Sequence, residues 1–472
     1  MKSTDQNHII TITKKTTLMR KLFTQKIFFI IGFCSLLASQ TNAQGTWTAL
    51  TNLAPDPNNG VMMLMTDGTV ICHTTSGGSL GDGTIWDRLT PDSTGNYVNG
   101  TWSQIAPMNV ERYSFSTAML KDGRIYAAGG EYGTDGTQNG WHGEVYNPVT
   151  NTWTQATGVN STNVMSDGTC KLLDNGSILQ ALVDVPNPVH TVVYNPTTNA
   201  YTTGIPTLNG QNESMWLKLP DNSVLFVDEG LQSSERFIPS LNQWVADGTV
   251  PVALYDPYGS ECGPGWMLPN GKAFFIGGTN HTAVYTPSGN NTAGSWVAGP
   301  DVPNGYSMPD APGAMMFNGN ILFACSPQPT QATEFATPTK FYEYNYLTNA
   351  YTAVAAPSTA ATNAISQQYN MLILPNGQVL LGMDQDNSSS QYYVYNPTGS
   401  PIAAGKPVIT QVKQLTCTTY MITGHGFNGI SEGTAFGDEN ENDSNYPLFR
   451  FTSGSQCHFA KYDLYRIRYG NS

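Results

Sequence analysis

The stretch LKDGRIYAAGGEYG, residues 120–133, sets the reading of the whole chain. A tight Asp-Gly turn feeds a short apolar strand that stops at a glycine pair. Asp-Gly and Asn-Gly supply the positive φ angles that a two-residue hairpin needs. A little further on, EVYNPVTNTWTQ (144–155) reads as two more strands around a turn, the second carrying a tryptophan. Together they describe one four-stranded antiparallel unit.

That unit recurs. Its turns are TDG (66–68), KDG (121–123), DNG (174–176), PDN (220–222), PNG (269–271), FNG (317–319) and PNG (375–377), at spacings of roughly 45 to 60 residues. Its closing half recurs as TWSQ at Thr101, YNPVTNTW at Tyr146, YNPTTNAY at Tyr194, IPSLNQW at Ile238, YNYLTNAY at Tyr344 and YNPTGSP at Tyr395. A single small sheet cannot bury both faces, so such sheets stack around a ring. The pattern predicts an all-β, seven-bladed propeller. The seventh unit lacks its aromatic fourth strand, and GTWTALTNLAP (45–55) looks like the missing copy. It is expected to complete the last blade and leave no open edge. Trp47 then takes the structural place of Trp102, Trp153 and Trp244.

The bulk composition agrees. Only 12 % of the 472 residues are charged and the formal net charge is −13, which argues against nucleic acid and anionic membrane as partners. Arg20, Lys21 and Lys26 precede the apolar run IFFIIGFCSLLA (27–38), followed by SQTNAQ. This predicts an export leader over 1–43, with Met19 an alternative start. The run is too short to span a membrane comfortably. A secreted, cell-surface or periplasmic monomer is expected. Cys72, Cys170, Cys262 and Cys325 read as small core residues, while Cys417 and Cys457 are open to pairing. No zinc spacing, GxSxG, HExxH or P-loop is present.

The repeat resembles the kelch motif, most clearly in DGRIYAAGGEYG…EVYNPVTNTW. The C-terminal stretch YMITGHGFNGISEGTAFGDENENDSNYPLFRF (420–451) is similar to the small Ig-like β-sandwich that follows the propeller in galactose oxidase and glyoxal oxidase. The linker GSPIAAGKPVI (399–409) marks the boundary, so 44–401 is expected to be the propeller and 402–472 a sandwich that stops short of the family's. The resemblance implies a copper ion, a radical tyrosine bonded to a cysteine, and oxidation of alcohols or aldehydes. In that family the propeller ligands lie eight residues before the turn's Asp or Asn. Here that register reads Asn59, Ser114, Asp167, Glu213, Cys262, Asp310 and Gln368. Asn59 stands where the family has its cysteine, Ser114 where it has the radical tyrosine, and Gln367-Gln368 where it has Tyr-His. Amides do not suit copper, and His73, His142, His190 and His281 lack ligand spacing. Copper is therefore a poor fit and no cofactor is predicted outright.

What remains is an acidic mouth: Asp167, Glu213, Glu261 and Asp310, with Glu111 and Arg112 beside Ser114. These oxygens allow calcium, or hydrogen bonds to sugar hydroxyls beside Trp216 and Trp266. A carboxylate pair among Asp167, Glu213, Glu261 and Asp310 also allows acid–base catalysis. Each acid is equally open to a plain role capping a backbone turn. The first expectation is a non-catalytic binder of a glycan, another small extracellular ligand or a protein. The alternatives are a carbohydrate hydrolase or lyase and, behind both, the oxidase.

Overall fold

The computed structural model describes residues 44–57, 59–133, 140–183, 190–213, 215–383, 390–431, 434–435, 442–443 and 446–460. The expected leader, most of the loop 133–143 and most of the acid-rich loop 437–447 lie outside the described residues.

The described chain forms a seven-bladed β-propeller. Blade 1 holds strands Asn59–Leu64, Val70–Thr74, Trp86–Thr90 and Thr101–Gln104. Blades 2 to 6 repeat it, with inner strands Ser116–Met119, Cys170–Leu172, Leu217–Lys218, Gly265–Met267 and Gly313–Met315. Blade 7 runs Tyr369–Ile373, Val379–Met383 and Tyr393–Asn396, and takes Thr46–Ala49 as its outer strand, with Trp47 opposite Tyr395. First and last strands of the ring thus share one sheet, and the ring has no open edge.

Each outer strand carries one aromatic that reaches back toward the preceding blade. Trp47 Nε1 donates to Ala355 O, Trp102 Nε1 to Asn52 O and Trp153 Nε1 to Ala106 O. Trp244 Nε1 donates to Thr191 Oγ1, Trp296 Nε1 to Ser234 Oγ, and the Tyr351 hydroxyl to Pro300 O. In blade 3 the Tyr201 hydroxyl meets that of Tyr126 at 2.8 Å. A ring with an apolar body and a polar tip suits this boundary between dry sheets and wet edge. The YNPxTN turns have their own logic: Asn151, Asn199 and Asn349 adopt left-handed backbone, and the hydroxyls of Tyr146, Tyr194 and Tyr344 donate to their side-chain oxygens.

The described residues of the C-terminal region do not assemble the expected sandwich. They give two separate hairpins, Val408–Gln414 with Tyr420–His425 and Arg450–Ser453 with Gln456–Phe459. Val408–Gln414 is exposed along its whole length, so no second sheet faces it among the described residues. Between the hairpins the chain enters the propeller. Thr434–Ala435 pairs with the inner strand of blade 6, and Asn442–Asp443 with that of blade 2. The Tyr446 hydroxyl donates to Leu64 O in blade 1. Cys417 and Cys457 are both free thiols.

Candidate acidic site at the propeller mouth

Each inner strand starts at the mouth and ends in its Asp-Gly-type turn at the opposite end. The residues eight before those turns therefore stand at the mouth, on the segments that enter each blade. Three of them, Ser114, Glu213 and Asp310, adopt left-handed backbone with φ of 48°, 51° and 46°. For an L residue this costs roughly 1–2 kcal/mol, and such strain concentrates at functional sites.

Glu213, Glu261 and Asp310 converge: one carboxylate oxygen from each lies within 4.8 Å of the others. Glu261 and Asp310 are buried and Glu213 is half-buried. The backbone laces the three together. The Cys262 thiol donates to Glu213 O at 3.1 Å, and Asp310 N donates to Cys262 O at 3.2 Å. Asp256 fixes Glu261 by accepting its N–H at 2.8 Å, while Asp256 N donates to Glu261 O. Asn212 Nδ2 donates to Glu213 Oε1. A fourth carboxylate borders on the group: an ideal Cβ at Gly259 would sit 1.3 Å from Glu334 Oε1 and 3.1 Å from Glu261 Oε1. A side chain at 259 would have to push the Glu334 carboxylate aside.

Two carboxylates at this separation repel by about 3–4 kcal/mol at an effective dielectric of about 20. Three cannot stay ionised together unless a counter-charge joins them. The group is a set of hard oxygen donors, of the kind that suits calcium or magnesium. Among the described residues it is the one cluster of three or more Asp, Glu, His or Cys that could hold an ion. It contains no imidazole and no thiolate, the donors copper prefers. Two of the propeller histidines are committed elsewhere: His73 is buried against Trp86 and Phe115, and burial pushes its pKa down to about 3. His281 pairs with Asp301 at 2.9 Å. The three converging carboxylates are not a copper donor set.

Other expected site residues take different places. Asp167 is buried at the same register on blade 3 but is not one of the three converging acids. Glu111 caps the loop before it, accepting backbone N–H bonds from Ser79, Leu80, Gly81 and Asp82 at 2.6–3.1 Å. Burial alone would raise its pKa; the four N–H bonds outweigh burial and hold it below the ordinary value. Arg112 is fully buried, paired with Glu144 at 3.0 Å and donating to Gly129 O and His142 O. Both residues are spent on the scaffold. Trp216 and Trp266 are wholly buried and cannot stack on a ligand. Trp216 packs on Trp244 and donates to Gln211 Oε1, and Trp266 fills the space beside Gly313. Gln367 and Gln368 lie half-buried in the turn Ser366–Gln368 at the entry of blade 7. Asn59 opens the inner strand of blade 1 opposite Thr74; its side chain lies outside the described residues. Glu334, Asp256 and Asn212 were not foreseen, since none sits at the repeat register.

No protein-family model matches the chain, and no curated protein matches it. Solved structures do. A fungal alcohol oxidase of the AA5 family, in complex with copper, is similar at TM-score 0.59 and 14 % identity, over 88 % of this chain and 92 % of that one. A catalytically inactive virginiamycin B lyase from Staphylococcus aureus with quinupristin aligns at TM-score 0.51 and 11 % identity, over 75 % and 100 % of the chains. A streptogramin B lyase aligns at TM-score 0.50 and 12 % identity, over 75 % and 98 %. Likeness at such identities speaks for the fold. In fold the chain resembles the galactose oxidase family, on a seven-bladed propeller whose mouth carries a donor set of its own.

Proposed function

We propose that this chain is an extracellular binding protein. In this reading Glu213, Glu261 and Asp310 hold an oxygen-coordinated divalent cation, calcium above all, and present it to a hydroxyl-rich ligand such as a glycan. The observation that carries the reading is the approach of three carboxylates within 4.8 Å. A cation relieves their mutual repulsion, and one with open positions then takes neutral hydroxyl oxygens as further ligands. The exterior location rests on the leader pattern over 1–43. Among the described residues no helix is long and apolar enough to cross a membrane.

The copper-radical chemistry of the AA5 fold is not part of this proposal, because the donors are carboxylates. A second reading draws on the same acids. Half-buried Glu213 beside buried Glu261 and Asp310 places like groups in unlike surroundings, the arrangement that separates an acid from a base in hydrolases and lyases. Calorimetric titration with a panel of neutral oligosaccharides, with calcium and again with chelator, distinguishes the two. Calcium-dependent heat without product supports the binder. Turnover that survives chelation and dies in Glu213→Gln supports the enzyme.

A further inference from the structure

Three blades hold their incoming linker in the same way, through an acid at the second position of the third strand. In blade 1 Asp87 accepts Asp56 N at 3.1 Å. In blade 2 Glu144 accepts Asn109 N, Val110 N and Asn109 Nδ2 at 2.7–2.9 Å. In blade 4 Glu235 accepts Leu208 N at 2.9 Å, Asn209 N at 2.6 Å and Asn209 Nδ2 at 3.1 Å. Blade 2 neutralises its acid with Arg112. Blade 4 has no such arginine. Its second carboxylate, Asp228, follows the second strand and is joined to Glu235 through Asn209, whose Nδ2 also donates to Asp228 Oδ2 at 3.0 Å. Both acids are 1 % exposed.

Among the described residues no ion pair meets Asp228 or Glu235. Ser233 Oγ donates to Asp228 Oδ2, while Asp228 Oδ1 is buried with no hydrogen-bond partner. Glu229, beside Gly210, adds a further acid nearby. Arg236, next along the strand, is held by Asp221 and Asp247 and so is engaged elsewhere.

We propose that Asp228 and Glu235 share one proton, and that this proton fastens the linker Leu208–Asn209 to blade 4 as a latch that loosens when the proton leaves. Burial first, and then the charge of Asp228, pushes the Glu235 pKa up to about 7 against the opposing N–H bonds of Leu208 and Asn209; burial likewise raises that of Asp228. A carboxyl whose folded pKa is raised stabilises the fold most below the ordinary carboxylate range, and that stabilisation fades as pH climbs toward about 7. The linker runs on to Glu213 four residues later, so the latch sits at the root of the mouth. The latch itself does not depend on the cation reading.

The test is amide hydrogen exchange of segment 207–213, corrected for intrinsic rates, at about pH 5.5 and about pH 8, with segment 107–112 of blade 2 as internal control. Protection of 207–213 is expected to fall at least about tenfold at the higher pH, the equivalent of one pKa unit, while 107–112 holds. Asp228→Asn removes the like charge while an amide oxygen still accepts from Asn209 and Ser233, and should keep 207–213 protected at both values. Equal pH dependence in the two segments, or wild-type dependence in Asp228→Asn, overturns the proposal. Should the variant not fold, carbon-13 titration of the wild-type carboxyls decides. One buried carboxyl titrating near neutrality supports the latch; all titrating in the ordinary carboxylate range refutes it.

Discussion

In blade 2 the linker Asn109–Val110 hangs on Glu144, and the charge of Glu144 is met by Arg112. In blade 4 the linker Leu208–Asn209 hangs on Glu235, and the neighbour of Glu235 is another acid. The backbone device is the same; the electrostatics are opposite. The difference extends to the mouth. Beyond the blade 2 linker, Glu111 and Arg112 are engaged by the scaffold. Beyond the blade 4 linker, Glu213 joins Glu261 and Asp310 in a cluster of like charge. Equal positions in a repeat therefore do not mean equal roles. An acid surrounded by donors from its own scaffold is structural, whereas the acids that converge on one another are the ones on which the cation proposal turns.

The largest effect should come from breaking the compensated side. Arg112→Ala leaves Glu144 buried without its counter-charge and should cost about 3–5 kcal/mol, read from guanidinium unfolding midpoints. A cost below about 1 kcal/mol, the range of an exposed pair, would mean the ion pair does not anchor blade 2. Glu111→Ala strips the loop 79–82 of its acceptor and should cost about 2 kcal/mol, while leaving calcium binding unchanged; altered calcium affinity would join the two halves of the mouth that the comparison separates. Asp310→Asn should act the other way. In chelator it relieves like-charge repulsion and raises stability by about 1 kcal/mol, yet it abolishes the calcium-induced rise in Tm. The smallest effect concerns the turns. Blade 2 turns through Gly123 and blade 4 through Asn222, at φ of 79° and 66°. Asn222→Gly should stabilise by about 0.5 kcal/mol, and a loss instead would show that the Asn222 side chain supports the turn.

The ring was legible because its signals are local. Turn dipeptides, strand-ending tyrosines and outer tryptophans each report on a few neighbouring residues, and the copy at Trp47 pairs where its pattern placed it. The register likewise singled out Glu213 and Asp310. What escaped notice depends on contacts distant in sequence. The donors of Glu111 lie some thirty residues upstream, and Glu144 lies as far downstream of Arg112, so neither commitment is visible at the register. Trp216 and Trp266 stand near the mouth in sequence but turn into the blades, where inter-blade packing buries them. Glu334 sits on an irregular loop with no period to mark it. The channel pairings of 434–435 and 442–443 are two residues long, too short for any alternation to announce.

The most direct measurement is calorimetric titration of calcium into chelator-stripped mature protein, beside the Asp310→Asn variant. The account predicts one calcium bound per chain in the wild type and none in the variant. Absence of binding in the wild type, or equal binding in both, would contradict it.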